Sequence, residues 1–417
     1  VPTTLGRELQ LTQCKLRKKS WRFKLKIAIM GFGTVGTGVE EILYKKRDAL
    51  LKNNFDIKIE KVLIRNKDKK RSPLDGDLAF TDDFDEILNS DVDTVIDVTS
   101  SLEETYERIV RLKKAGKNIV TANKAVVSKY FEELNELARE KNIFFSYEAA
   151  VAGAIPVIHP IMEEAFFSDM NMVQGILNGT SNYILSKMEV EGSSYDEVLR
   201  EAQELGYAEA DPTADVGGFD AMRKIRILSS LIYNAKINED EIFTFGIQNV
   251  NKSDFDFAKE RGYSIRLLAK SELAKDKINI SVVPTFIKDN FFAKTFGGTN
   301  GVKVWGENFS AYELKGPGAG KLETADAVMR DLLRVLARRE IKTFYDAGNS
   351  YEVENNLKNK FYVRTSEVSE KLKDLIEEEK VLDDQHLIIT KEVSLDDLRD
   401  ALGDLSKVFL AEIEEDL

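Results

Sequence analysis

Over the first third of the chain, short apolar runs alternate with stretches of helical periodicity. Residues 25–30, Leu-Lys-Ile-Ala-Ile-Met, are apolar at all but one position, as expected of a strand buried on both faces. Val39, Ile42 and Leu43 then recur at helical spacing. Further strands are predicted over 57–64, 92–98, 118–121 and 143–147. Amphipathic helices are predicted over 102–115, closed by Gly116, and over 126–141. Alternation at these lengths predicts a parallel, doubly wound α/β sheet.

After Gly153 the pattern changes. Helices are predicted at 155–166, 180–190, 194–205 and 218–234, and strand-like runs at 171–178, 264–271, 278–286 and 302–305, which together read as a mixed α+β domain. A helix over 323–338 follows Gly316-Pro-Gly-Ala-Gly320 and is expected to return to the first domain. From about 345 the order is strand 360–364, helix 366–378, strand 387–390, helix 394–404 and strand 408–411, a small βαβαβ unit. The expected division is a tail over 1–23, a dinucleotide-binding domain over 24–153 completed by 311–340, a second domain over 154–310, and a C-terminal module over 345–417. A chain ending near 344 is expected to fold without that module.

Composition narrows the function. The 417 residues carry a net charge of −12, which argues against a general nucleic-acid binder. No apolar run approaches the length of a membrane span. One cysteine, Cys14, and two histidines, His159 and His386, leave no material for a disulfide framework or a zinc cluster. A reducing cytoplasm fits this usage. His159 reads as a satisfied interior or interface residue, and Cys14 is given no role.

Six segments carry candidate chemistry. Gly31-Phe32-Gly33-Thr34-Val35-Gly36 lies between a strand and a helix, where glycines let backbone N–H groups approach a pyrophosphate. This is a Rossmann-type signature. The second strand ends in Arg65 rather than an acid. Arg65 can pair with a 2′-phosphate, so NADP(H) is favoured over NAD(H). Residues 206–224 place Glu209, Asp211, Asp215 and Asp220 ahead of Lys224. Asp220 and Lys224 share a helix face, suited to holding a zwitterion and moving a proton. Lys124 follows a strand directly and faces the ligand crevice. Asn178-Gly179-Thr180-Ser181-Asn182 starts a helix, with Thr180 or Ser181 as its cap or with the loop holding a substrate carboxylate. Glu148 to Pro156 joins the domains, as a hinge or as a set of carbonyls for a hard monovalent cation.

Taken together and in order, Gly-Phe-Gly-Thr-Val-Gly36, Thr-Ala-Asn-Lys124, Ile-Leu-Asn-Gly-Thr-Ser-Asn-Tyr-Ile-Leu185, Gly206–Lys224 and Gly-Pro-Gly-Ala-Gly320 resemble the homoserine dehydrogenase family over about 24–338. The resemblance implies interconversion of L-homoserine and L-aspartate 4-semialdehyde with NAD(P), on the route to threonine, methionine and isoleucine, by a homo-oligomer, a dimer. It implies that Lys224 exchanges a proton with the substrate oxygen beside Asp220, that Lys124 is a second active-site lysine, and that Glu209, Asp215 and Asp220 bind substrate. It assigns Phe32, Gly33, Thr34, Val35, Thr99, Gly206 and Gly320 to the cofactor, and Glu148, Val151, Gly153 and Ile155 to a sodium ion, with Ala152 where the family often has glycine. Many members carry an ACT regulatory module at the C-terminus. Here the first loop of that unit, Thr365-Ser366-Glu367-Val368-Ser369, lacks the expected Gly and Pro, so little threonine inhibition is expected. Aspartate-semialdehyde dehydrogenase is rejected because it needs a cysteine nucleophile. A non-catalytic NAD(P)-sensing or assembly protein would not need Lys224, Asp220 and Glu209 together.

Overall fold

The computed structural model describes residues 23–66, 68–337 and 345–414. Cys14 and all of the expected tail except Phe23 lie outside them. Six strands, β1 (Phe23–Met30), β2 (Phe55–Leu63), β3 (Phe80–Thr81), β4 (Thr94–Asp97), β5 (Asn118–Thr121) and β6 (Phe145–Ser146), form the first sheet. Their order is β3-β2-β1-β4-β5-β6, and every pairing is parallel. The apolar run of β1 is explained by burial on both faces. Leu25, Ile27 and Ile29 pack with helices Thr34–Lys52 and Lys321–Leu336, whereas Ala28 and Met30 join the opposite cluster with Ile109, Leu112 and Phe131. The late helix Lys321–Leu336 thus packs on the first sheet.

The helix expected over 126–141 is two helices, Lys124–Lys129 and Phe131–Lys141, broken at Tyr130. The Tyr130 ring stacks on Tyr106 at 3.8 Å, and its hydroxyl donates to Glu103 at 2.6 Å.

The remaining strands form one large mixed sheet. They are β7 (Met170–Ile176), β8 (Phe243–Thr244), β9 (Ser264–Ala274), β10 (Lys277–Ile287), β11 (Thr299–Gly306), β12 (Phe309–Pro317), β13 (Glu352–Val353), β14 (Lys358–Thr365), β15 (Ile376–Leu382), β16 (Gln385–Thr390), β17 (Val393–Ser394) and β18 (Phe409–Ile413). The main order is β12-β11-β7-β9-β10-β18-β14-β16-β15. Sequence pattern missed β12. It is an edge strand with no fully buried residue, its half-buried and exposed positions alternating only with a slip at Tyr312-Glu313, so it lacks the strong apolar face that marks a half-buried strand. It takes up Gly316 and Pro317, and the helix behind it starts only at Lys321.

Besides the two-residue strands β13 and β17, the C-terminal unit has one strand more than the βαβαβ order expected. Helix Glu370–Leu375 stops at Leu375, and Ile376-Glu-Glu-Glu-Lys-Val-Leu382 runs as β15 against β16. Tertiary pairing overrides the helix preference of Glu, Lys and Leu. The unit is therefore βαββαβ with sheet order β18-β14-β16-β15, a ferredoxin-like arrangement. Nor does it bury its core alone. β18 lies parallel to β10, with Thr285 opposite Glu412 and Phe286 opposite Ile413. Phe361, Val363, Ile388 and Leu410 pack around Val283 of β10, while Tyr362, Leu387, Phe409 and Ala411 belong to the main core. The buried Asp254 accepts from Arg364 Nε at 2.8 Å and from the Tyr362 hydroxyl at 2.9 Å. A cut near 344 would strip these partners from β10 and leave a buried carboxylate unpaired.

Candidate active site

Helix Phe219–Tyr233 starts after Gly218, which takes a left-handed φ of +83°. Asp220 and Lys224 of this helix, one turn apart, are both buried. Lys224 Nζ donates to Asp220 Oδ2 at 2.7 Å and to the Leu177 carbonyl at 2.6 Å. The other carboxylate oxygen, Asp220 Oδ1, is met by Nζ of Lys124, whose side chain is half-exposed at 42%. The two lysines predicted from separate motifs therefore share one aspartate.

Asn178 holds this arrangement. Its Nδ2 donates to Asp215 Oδ1 at 2.7 Å and to Asp220 Oδ2 at 2.9 Å, and its Oδ1 accepts from Ser181 N at 2.8 Å. Asn178 is the N-cap of helix Gly179–Glu191, in place of Thr180 or Ser181. The Thr180 hydroxyl instead donates to the Tyr207 carbonyl at 2.6 Å. Asn300, from β11, donates through Nδ2 to the same Leu177 carbonyl that Lys224 uses, at 3.1 Å. It packs on Gly318, where a Cβ would lie 2.2 Å from the Asn300 amide. Sequence reading singled out neither asparagine. Asn178 was signalled only as part of its loop, and Asn300 arrives from a distant strand with no local cue.

The charges are coupled. Burial would raise the Asp220 carboxyl, but Lys224 and Lys124 outweigh it and hold the group ionised, well below the usual carboxylate range. The charge of Asp220 raises Lys124 against the cost of burial. Burial lowers Lys224, and Lys124 adds to that effect, while Asp220 opposes it. Lys224 is thus the lysine that gives up its proton first. Burial also raises Asp215, against the hydrogen bond from Asn178 and with the charge of Asp220. Glu209 and Gly206 lie exposed on the segment after helix Tyr195–Glu204.

The glycine-rich turn directly follows β1. Gly31 has φ +97°, and a Cβ there would sit 3.0 Å from the Val98 carbonyl. At Gly36 a Cβ would sit 2.3 Å from the Gly31 carbonyl, so the turn closes only with glycine. Gly33, by contrast, has no atom within 4 Å of an added Cβ, and helix Thr34–Lys52 starts there with no side-chain cap. Open space before uncapped helical N–H groups fits a pyrophosphate. A cleft of 610 Å³ runs from this turn past Arg65, Lys69 and Arg71 to Thr99 and Ser101. Of the cofactor residues expected, Gly31, Phe32, Gly33, Arg65 and Thr99 line it; Thr34, Val35, Gly36, Lys124, Gly206 and Gly320 do not. Arg65 is 76% exposed, with Glu104 at 3.7 Å. Gly320 is the N-cap of helix Lys321–Leu336.

At the crossover between the two sheets, Ala152 and Gly153 both take left-handed φ, +55° and +58°. Glycine adopts this conformation without penalty and alanine does not. The Glu148 carboxylate is fully buried and is used as a cap: Oε1 accepts from Val157 N at 2.6 Å and Ile158 N at 3.0 Å, and Oε2 from His159 N at 2.9 Å. His159 Nε2 is hydrogen-bonded to Asp331 Oδ1 at 2.5 Å, the interior role expected of it.

Among the described residues no helix is long and apolar enough to cross a membrane. A family model for homoserine dehydrogenase matches residues 156–333, and one for the NAD-binding domain of homoserine dehydrogenase matches residues 31–148. The homoserine dehydrogenase of Bacillus subtilis is 37% identical over 341 residues, 80% of this chain and 78% of that protein. That of Synechocystis is 38% identical over 320 residues, covering 75% and 73%. A crystal structure of a homoserine dehydrogenase from Thiobacillus denitrificans superposes with a TM-score of 0.86 at 30% identity, over 94% of this chain and 98% of that one. A hyperthermophilic archaeal homoserine dehydrogenase in complex with NADPH superposes with a TM-score of 0.63 at 25% identity, over 76% and 98%.

Proposed function

The chain belongs to the homoserine dehydrogenase family, and from that premise we propose how its residues divide the NAD(P)-dependent interconversion of L-homoserine and L-aspartate 4-semialdehyde. A nicotinamide bound in the cleft would supply the hydride chemistry that links the carbinol carbon of homoserine to the aldehyde. Lys224 takes the hydroxyl proton in oxidation and gives it back in reduction. Its lowered pKa suits a group that must be neutral in one direction and charged in the other. Asp220 stays ionised and fixes Lys224. Lys124 stays charged and faces the open side of the pair, where it stabilises negative charge on the substrate oxygen. Asp215 and Glu209 receive the substrate ammonium, with Glu209 approaching from its exposed segment.

The glycine turn, Thr34, Val35 and Thr99 would hold the cofactor, with Gly206 and Gly320 as further contacts. Arg65 and its basic neighbours favour NADP(H). Main-chain carbonyls of Glu148, Val151, Gly153 and Ile155 hold a sodium ion, a reading supported by the two consecutive left-handed residues that turn this backbone. The module boundaries 24–153 with 311–340, 154–310 and 345–417, a homodimer and a cytoplasmic setting complete the proposal.

One observation carries it: two lysines from different motifs converge on one buried aspartate. The test is homoserine-dependent reduction of NADP+ and of NAD+, with and without sodium, by the intact chain and by Lys224→Ala. Loss of turnover with retained cofactor binding is expected. Turnover within about threefold of the parent would remove Lys224 from the mechanism.

A further inference from the structure

Asp97 ends β4, beside β1, at the point where the strand order of the first sheet reverses. Ligands of doubly wound sheets sit outside the strand ends at such points. Asp97 is fully buried. Its Oδ1 accepts from the Thr99 hydroxyl at 2.6 Å and from Thr99 N at 3.1 Å, and its Oδ2 accepts from the Thr121 hydroxyl at 2.7 Å. Each oxygen therefore serves a different loop. Thr99 lines the cofactor cleft. Thr121 Oγ1 accepts from Asn123 N at 3.0 Å. The Asn123 side chain then closes the circuit: Nδ2 donates to the carbonyls of Thr99 at 3.1 Å and Ser101 at 2.9 Å, and Oδ1 accepts from Val126 N at 3.2 Å, capping the helix that begins with Lys124.

We propose that Asp97 is a positioning residue that sets, through two threonines, the register between the cofactor cleft and the helix carrying Lys124. The inference rests on the assignment of that cleft and of Lys124 made above. The chemistry requires an acceptor at both ends of the side chain. Three donors converge on it, two of them hydroxyls that also meet other groups: Thr99 Oγ1 lies 2.6 Å from Thr105 Oγ1, which lies 3.0 Å from Ser101 Oγ. A hydroxyl can rotate to donate toward a carboxylate while accepting from a neighbour, so one charge orders the whole chain of hydroxyls. Burial raises the carboxyl's pKa, and the bonds from Thr99 and Thr121 work against that rise. An asparagine at 97 keeps the shape but turns one acceptor into a donor aimed at a threonine hydroxyl.

The test is Asp97→Asn in the full chain, read by fluorescence titration of the reduced cofactor, by kcat and KM, and by thermal midpoint. A rise in cofactor Kd and a fall in kcat, each on the order of tenfold, are expected, the size set by a lost charge-assisted hydrogen bond. The KM for homoserine should stay nearly unchanged. In a Lys124→Ala background the further loss in kcat should shrink markedly, because coupled residues are non-additive. A purely structural role would lower the thermal midpoint and give additive losses. That result, or unchanged Kd and kcat, overturns the proposal. Thr121→Val, which removes one donor without adding another, repeats the test if Asp97→Asn does not fold. The titration is read without turnover. A wild-type chain inactive on homoserine would therefore sink the functional reading while Kd still decided the role of Asp97.

Discussion

The glycine turn and the cluster around Lys224 use polar groups in opposite ways. Along the glycine turn the helix N-terminus is uncapped, the space before Gly33 is empty and Arg65 is mostly exposed. Around Lys224 the charges are already matched inside the protein, by Asp220, Lys124, Asn178 and the Leu177 carbonyl. The cofactor end leaves its donors for the ligand, so its affinity comes from bonds not yet made. The proton-transfer end is preorganised, so little reorganisation is left for the reacting step. Substitutions at the first end should therefore act mainly on binding, and at the second on turnover and stability.

The largest effect expected is at Lys224. Lys224→Ala should cut kcat by about two to four orders of magnitude, as for loss of a general acid or base, with cofactor Kd near the parent value in a direct titration. A matching loss of cofactor affinity would erase the contrast between the ends. Asp220→Asn leaves two lysines facing a neutral amide and should cost about 3–5 kcal/mol of stability, as when a buried ion pair is broken; urea unfolding measures it. Gly33→Ala meets no atom within 4 Å, so the fold should tolerate it. Cofactor Kd should still rise about tenfold, or 1.4 kcal/mol, because a methyl occupies the space before the N–H groups. Unchanged affinity would show that the pyrophosphate does not approach there.

The pH dependence sharpens the same contrast. Because Lys224 lies below its ordinary value, homoserine oxidation should rise with pH and level off short of the usual lysine range. In the window between the folded and unfolded values the unfolded chain binds more protons, so stability also rises with pH there. A Lys224→Arg chain, which cannot lose its proton, should show no such rise. The smallest effect is at Arg65. With its side chain 76% exposed and shared with Glu104, Arg65→Ala should weaken NADP(H) by less than about 1 kcal/mol and leave NAD(H) unaffected. Equal weakening of both would mean that Arg65 does not read the 2′ position.

Much of this was legible in the sequence, where a local rule coincides with the final environment. The double burial of β1 shows as an unbroken apolar run, and Asp220 and Lys224 show as a helical pair. What was not legible depends on remote partners. Asn300 gains its meaning only where β11 passes Leu177 and Gly318. The edge strand β12 has nothing buried to betray it. β15 is helical in composition and extended only because β16 lies beside it. The C-terminal unit has its own alternation, yet its separateness is undone by β18, a short apolar strand whose sequence does not say which sheet edge it joins.

That last strand bears on how the protein is made. β10 belongs to the catalytic core, but its neighbour β18 is synthesised only after β11, β12, the helix Lys321–Leu336 and the rest of the C-terminal unit. While the ribosome makes that intervening stretch, one edge of β10 near Phe286 stays open, and Asp254 waits for Arg364. Such long-range closure slows folding and leaves an unpaired strand edge exposed in the meantime. The nascent chain therefore depends most on protection from aggregation late in its synthesis, after its catalytic residues have been made and before its sheet can close.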